Sequence, residues 1–205
     1  MKKEEIKIHT TAEVSPKAKI GKGTSIWNQA QVREGTKLGQ YCIISKNVYL
    51  DQGVKIGNNV KIQNNVSVYF PARIEDGVFV GPHVCFTNDK IPRAINANGS
   101  PKEISDWQPL GVWVKRGASI GAHSVLLPGV KIGRFAMVAA GSVVTKNVPD
   151  YALVMGNPSR IVDFVCPCGK RINMVEKIER ASVQLKCECG QIIKIAKRFY
   201  RKVVK

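Results

Sequence analysis

The chain has little histidine, little acid and no long apolar run. Only three of its 205 residues are histidine. Any side chain serving as an imidazole base must therefore be His9, His83 or His123. No stretch approaches the roughly 20 apolar residues of a membrane-spanning helix. The opening MKKEEIKIHTTAEV holds no apolar segment of the kind that directs secretion. Both absences lead to the expectation of a cytoplasmic protein without a membrane span. Acid is scarce too, with 15 Asp and Glu against 32 Lys and Arg, a net charge of +17. Such a surplus suits an anionic partner, either nucleic acid or small anions such as coenzyme A and nucleotide sugars. It is unevenly spread, at +9 for residues 1–165 and +8 for residues 166–205. The last forty residues therefore read as a separate basic module.

What the sequence does contain is a period of six. The segment GVKIGNNVKIQNNV nearly repeats itself after six residues. Stepping by six from Val14 meets only apolar residues as far as Phe86, and the rule resumes from Val114 to Val144. The fourth residue after each anchor is small or β-branched except at Lys90. Two inward positions per hexad fit a triangular coil in which each side is a short parallel strand and each corner a turn. Gly and Asn cluster in the turns, where tight corners demand positive φ. Three hexads make one coil, so residue i stacks on i+18. Nineteen hexads predict about six coils, a prism of roughly 30 Å at ~4.8 Å per coil. The predicted class is all-β, a parallel β-helix.

The register breaks over residues 87–113, a polar stretch rich in Pro, Asn and Gly. Long loops in compact repeat proteins are usually functional. A filled prism has no internal cavity, so a site must lie outside it, against this loop or a neighbouring subunit. Asn88, Asp89, Arg93, Asp106 and Trp107 suit a polar, charged ligand.

The hexads lead into AGSVVTKNVP and GNPSRIV, with Ser159 where Ala is usual. This ending resembles that of the left-handed β-helix (hexapeptide-repeat) acyltransferases. KIQNNVSVY (61–69), EDGVFVGPHVCFTND (75–89) and PRA (92–94) resemble the N-acetyltransferases of UDP-2-acetamido-3-amino-2,3-dideoxyglucuronate. Acetyltransferases of dTDP-3-amino-deoxyhexoses share a similar loop. The resemblance spans residues 8–162 and implies a left-handed coil and a homotrimer with sites between subunits. It implies acetyl-CoA in the groove between prisms, near Ala136 and Ala139, with Lys146 and Arg160 by its phosphates. It implies a nucleotide sugar at the loop, with Asn88 at the reacting amine and Tyr69 within a matching motif. Arg93 suits a uronate carboxylate, because its planar fork makes bidentate contacts. Gln31 and Lys46 depart from the His and Gln that relatives often carry, and both bear on sugar contacts.

His83 and His123 hold the same slot in successive coils, so their imidazoles are expected to stack roughly 5 Å apart. They are second-rank candidates for the base. The favoured mechanism is direct attack of the sugar amine on the thioester, oriented by Asn88, with the leaving thiolate taking the proton.

Six cysteines are present; Cys42 and Cys85 fall on hexad sites. Cys166 and Cys168 (CPCG) and Cys187 and Cys189 (CECG) form two knuckles. Four such thiols suit a tetrahedral zinc site, although standard ribbons leave two residues between cysteines. Disulfides are the main alternative and suit the cytoplasm poorly. A short segment needs a metal to fold, so residues 163–205 are predicted as a zinc-ribbon-like module separable from residues 1–162. Few aromatics are available for stacking on bases, so nucleic acid is not the expected partner. The predicted function is N-acetylation of a nucleotide-linked 3-amino sugar for surface glycan assembly. The rivals are a γ-carbonic-anhydrase-like hydratase, which needs more clustered histidines, and a trimeric scaffold or nucleic-acid-binding protein.

Overall fold

Each hexad forms a two-residue strand ending on its apolar anchor. The structure is a computed structural model describing residues 4–172 and 174–203. The short strands build three walls. The first runs Lys7–Ile8, Ser25–Ile26, Ile43–Ile44, Lys61–Ile62, Phe79–Val80, Ser119–Ile120, Met137–Val138 and Ala152–Met155. The second runs from Glu13–Val14 to Val143–Val144 and the third from Lys19–Ile20 to Lys131–Ile132. Neighbours are parallel and offset by 18, as in Lys61 opposite Phe79 and Ile62 opposite Val80. Beyond the loop Phe79 pairs with Ser119, so the loop bulges from a single coil and the repeat resumes below it. The coil starts one hexad before Val14, at Lys7–Ile8.

The anchors from Ile26 to Val144 are at most 5% exposed. Val14 and Ile20, in the first coils, are half-buried. The small fourth residues fill the corners, and polar ones are satisfied there. The Thr24 and Thr36 hydroxyls donate to the carbonyls of Gly39 and Asp51, each at 2.9 Å. The Ser124 hydroxyl donates to the carbonyl of Ala139 at 3.1 Å. Among the described residues no buried side-chain polar atom lacks a partner, as a folded core requires. Coils also approach closely: a Cβ on Gly39 would lie 2.4 Å from the carbonyl oxygen of Gly57. Truncating Ile62, a fully buried anchor, to alanine should cost about 2–5 kcal/mol. Urea denaturation checks this as a lower midpoint.

The three walls differ outside. The third carries the outward column Lys19, Lys37, Lys55, Arg73, Trp113 and Lys131, which sets part of the net charge on one face. The first presents Ile43, Phe79 and Met137.

After the last coil the chain reverses into Arg160–Phe164, antiparallel to Ala152–Met155. Three antiparallel strands follow, Met174–Ile178, Ser182–Lys186 and Ile192–Ala196, then the helix Lys197–Tyr200. Val183, Leu185, Ile193 and Ile195 belong to the same buried cluster as Phe164 and the coil anchors. The Tyr200 ring stacks on Phe164 at 6.4 Å. The boundary expected at residues 162–163 therefore falls inside a strand, and the core continues across it.

Candidate active site

The loop is tied down at both ends by residues of its own coil and its neighbours. The Thr87 hydroxyl donates to the Leu126 carbonyl at 2.9 Å. Asn88 Nδ2 donates to the Phe70 carbonyl at 2.7 Å, and the Asn88 carbonyl accepts from Leu110 N–H at 2.9 Å. These bonds orient the Asn88 amide and leave its Oδ1 without a donor among the described residues. Inside the loop, Asp106 accepts from Asn96 Nδ2 at 3.0 Å and from Glu103 N–H at 2.9 Å. Those bonds, that of Asn96 first, hold its carboxyl below the usual carboxylate range.

Beneath the loop lies a pocket of about 750 Å³ lined by Thr87, Asp89, Lys90, Pro92, Thr145 and Lys146, among others. Lys146 and Asn147 also line a second recess of about 260 Å³, shared with Ser159, Arg160, Phe199 and Lys202. The two spaces adjoin through Lys146. Lys146 and Asn147 thus stand between the pocket beneath the polar loop and a cationic recess beside the C-terminal helix.

The residues expected from the sequence divide into groups. Lys146 lines both spaces and Arg160 the second, whereas Asn88 lies between Thr87 and Asp89 in sequence but lines neither. Tyr69 and Phe70 lie one coil before Thr87 and Asn88, and Tyr69 packs against Tyr49 at 5.7 Å. Arg93 is exposed, its Nη1 reaching only the Pro92 carbonyl at 3.5 Å, and it does not line the pocket. Lys46, His83 and His123 occupy a different corner, between the first and second walls. The two imidazoles stack at 4.7 Å with planes 3° apart, the spacing the repeat demands. His83 and His123 hold φ of 60° and 58°, in the corner slot where other coils place Gln29, Asn47, Asn65 and Gly141. His is among the residues that tolerate it. The width of the second wall, four residues or roughly 13 Å, separates His83 from Thr87 in one chain. His9 is exposed at the open end, its Nδ1 3.0 Å from the Thr11 hydroxyl.

The N–H of Ala136 donates to the Gly133 carbonyl at 3.2 Å and that of Ala139 to Val154 at 2.9 Å. Both donors are engaged within the coil. Ala139 does line a shallow pocket of about 390 Å³ on the first wall, with Phe79, Gly121, Met137 and Met155. Sequence reading missed Thr145 and Asn147, which flank Lys146, and Phe199 and Lys202, which arrive only through tertiary packing.

The four module cysteines converge, with their Sγ atoms all within 4.8 Å of one another. Cys166 lies 3.5 Å from Cys189, and Cys168 lies 3.7 Å from Cys187. All are free thiols. A tetrahedral zinc with Zn–S bonds of about 2.3 Å needs sulfurs roughly 3.8 Å apart, so the set fits. The two knuckles are built alike. Gly169 N–H returns to the Cys166 carbonyl and Gly190 N–H to that of Cys187, at 2.8 and 2.9 Å. These glycines hold φ of 91° and 87°, which other residues resist. Burial pushes the Cys166 thiol up to about 12, whereas hydrogen bonding, first from Gln191 N–H, draws Cys189 down to about 7.

Residues 53–69 and 116–146 match the family described as the hexapeptide repeat of succinyl-transferase. The chain is 49% identical over 83 residues to dTDP-3-amino-3,6-dideoxy-alpha-D-galactopyranose 3-N-acetyltransferase from Aneurinibacillus thermoaerophilus, covering 40% of each chain. Serine acetyltransferase 4 of Arabidopsis thaliana is 37% identical over 91 residues, 43% of this chain and 24% of that one. The chain thus spans less than half the length of these relatives. Among solved structures, a putative acetyltransferase from Bacillus cereus matches with a TM-score of 0.55 at 22% identity, covering 81% of both chains. A hexapeptide-repeat acetyltransferase from Vibrio cholerae O1 biovar eltor, complexed with acetyl coenzyme A, matches with a TM-score of 0.54 at 27% identity. That match covers 63% of this chain and 70% of the other. The all-β, left-handed β-helix fold expected for the family fits these likenesses.

Proposed function

We propose that the protein is an acetyl-CoA-dependent N-acetyltransferase acting on the 3-amino group of a nucleotide-linked amino sugar. The pocket beneath the loop and the neighbouring cationic recess, which share Lys146 and Asn147 as lining, carry this reading. A long cosubstrate with a thioester at one end and phosphates at the other suits two such neighbouring spaces. In this reading the sugar amine attacks the thioester carbonyl, a C–N bond forms and the C–S bond breaks. Asn88 Oδ1 accepts an N–H of the amine and orients it. The thiolate leaves and finally takes the proton, ending as the free thiol of coenzyme A.

Two sugars compete. UDP-2-acetamido-3-amino-2,3-dideoxyglucuronate follows from the loop motifs and gives Arg93 a carboxylate partner. A dTDP-3-amino-deoxyhexose is favoured by the likeness to the Aneurinibacillus enzyme and needs no such partner. Incubation with acetyl-CoA and each sugar, with thiol release followed, tests the reading; no release from either sugar would overturn it.

The assembly in this reading is a homotrimer, with the apolar residues Phe79, Met137 and Met155 on its subunit contacts. Sedimentation should give a species of about three 22.6 kDa chains. A neighbour would then have to supply any imidazole near Asn88. The double change His83→Asn with His123→Asn should leave at least roughly a tenth of turnover, because a free amine and a thioester need little help with proton removal. A loss of about 10²–10⁴-fold with normal acetyl-CoA binding would instead mark general-base catalysis. Zinc on Cys166, Cys168, Cys187 and Cys189 is structural in this reading and holds the C-terminal module together.

A further inference from the structure

We propose that the third wall carries a binding site for an acidic oligosaccharide, laid lengthwise along a row of unpaired cations. This site stands apart from the acetyl-transfer reading, which uses nothing on this wall. The row is Lys19, Lys37, Lys55, Arg73, Trp113 and Lys131, one residue per coil and each opposite the next. Its five cations are exposed. None of them makes an ion pair among the described residues, although other lysines and arginines do. Five steps of ~4.8 Å make the row roughly 24 Å long. Like charges one coil apart repel one another, and an anion lying along the row relieves that repulsion.

The wall is shaped to take a chain. Gly21, Gly39 and Gly57 follow the strands of successive coils, so no side chain rises beside the upper cations. There is no room for one: a Cβ on Gly57 would meet the Asp76 carboxylate, and one on Gly39 the Gly57 carbonyl. The result is a trough of about 500 Å³ lined by Lys37, Lys55, Arg73, Glu75, Trp113 and Arg116, among others. Its two acids are already engaged. Glu75 accepts from Trp113 Nε1 at 2.8 Å and from Arg116 N–H at 2.9 Å, and Asp76 accepts from Asn58 N–H at 2.7 Å. The bond to Glu75 fixes the indole in the row, as an apolar plate among charges. Lys115 and Lys131 lie 5.8 and 5.6 Å from its centre, so positive charge continues past it.

Chemistry selects the occupant. A pyranose ring advances a glycan chain by close to one coil spacing, so ring carboxylates stay in step with the cations. The C–H face of a sugar ring suits the indole. The phosphates of one duplex DNA strand rise about 3.4 Å per nucleotide, out of step with a row that repeats every ~4.8 Å. Single-stranded nucleic acid needs successive aromatic plates, and Trp113 is the only aromatic residue in the row. A bilayer presents one plane of charge, whereas in a threefold assembly the three third walls point three ways. Each wall can instead hold its own chain.

The test is titration of the full chain with a galacturonate hexamer, neutral maltohexaose, single-stranded DNA and phosphatidylglycerol vesicles. The galacturonate hexamer should bind, and bind more weakly as salt screens the exposed cations; maltohexaose should not bind. Lys37→Gln with Lys55→Gln should weaken the hexamer by about tenfold, the size of two exposed ion pairs, and glutamate at both positions by more. Lys177→Gln, on the C-terminal sheet, should change nothing. Melting temperature and sedimentation should stay at wild-type values in all these variants. No binding of the hexamer, or binding that survives glutamate at Lys37 and Lys55, would overturn the proposal. Tighter binding of DNA or vesicles, lost on the same changes, would assign the wall to nucleic acid or to lipid and overturn it too. Glutamate variants that fall apart into smaller species would make the wall a subunit contact, with the same consequence.

Discussion

Alanine in place of Asn88 is expected to lower kcat by about 10²-fold, because small errors in the placement of a nucleophile have effects of that size. The Asn88 amide is aimed by its bond to the Phe70 carbonyl at 2.7 Å, and its free oxygen is the group that would hold the amine. Asn88→Asp keeps the oxygen but loses the donor to Phe70, so it should fall between wild type and alanine. Arg93→Ala should act mainly on the KM for a uronate sugar, since its guanidinium is exposed and makes no structural bond beyond its own neighbour. Steady-state kinetics in both substrates separates the two effects. An Asn88→Ala enzyme with wild-type kcat would move the reacting amine elsewhere.

Serine at both Cys187 and Cys189 is expected to release the metal and unfold the C-terminal module. Structural zinc contributes about 10–16 kcal/mol of apparent binding energy in zinc-finger peptides. The module's own core, Val183, Leu185, Ile193 and Ile195, is too small to replace it. Limited proteolysis should cut within residues 166–205, and metal analysis should fall from one zinc per chain to none. The coil should persist, held by its anchors, but with a lower melting temperature. Val165 N–H bonds the Tyr151 carbonyl at 2.8 Å, and Phe164 is 1% exposed, so the junction opens when the module is lost. The modules are therefore not expected to be independent. A double variant that stays protease-resistant without metal would contradict the zinc assignment.

The coil was legible because its period is written in single residues. An anchor every sixth position has no competing explanation in helix or open sheet, and each anchor from Ile26 onward is buried. The loop was legible as a break in that period. The stacked imidazoles followed from arithmetic on the repeat, since residues in one slot of successive coils must lie one strand spacing apart. The cysteine cluster followed from two alike CxCG turns. What was not legible depends on how distant parts meet. No spacing rule brings Lys202 to Arg160, because the chain between them folds through a sheet of its own. Nor does the sequence reveal that the N–H groups of Ala136 and Ala139 are already engaged, the first within its own turn by Gly133 and the second across coils by Val154. Asn88 and His83 are only five positions apart in sequence, yet the flat wall between them sets them on different corners.

The central claim is acetyl transfer from acetyl-CoA to a nucleotide-linked 3-amino sugar. The most direct measurement is a mass-resolved assay of acetyl-CoA with UDP-2-acetamido-3-amino-2,3-dideoxyglucuronate and with a dTDP-3-amino-deoxyhexose, each beside its 3-hydroxy counterpart. The account predicts one acetyl group added to an amino sugar, matched by an equal amount of free coenzyme A thiol, and no product from the hydroxy compounds. No acetylated product from either amino sugar, with a folded chain that still binds acetyl-CoA, would contradict it.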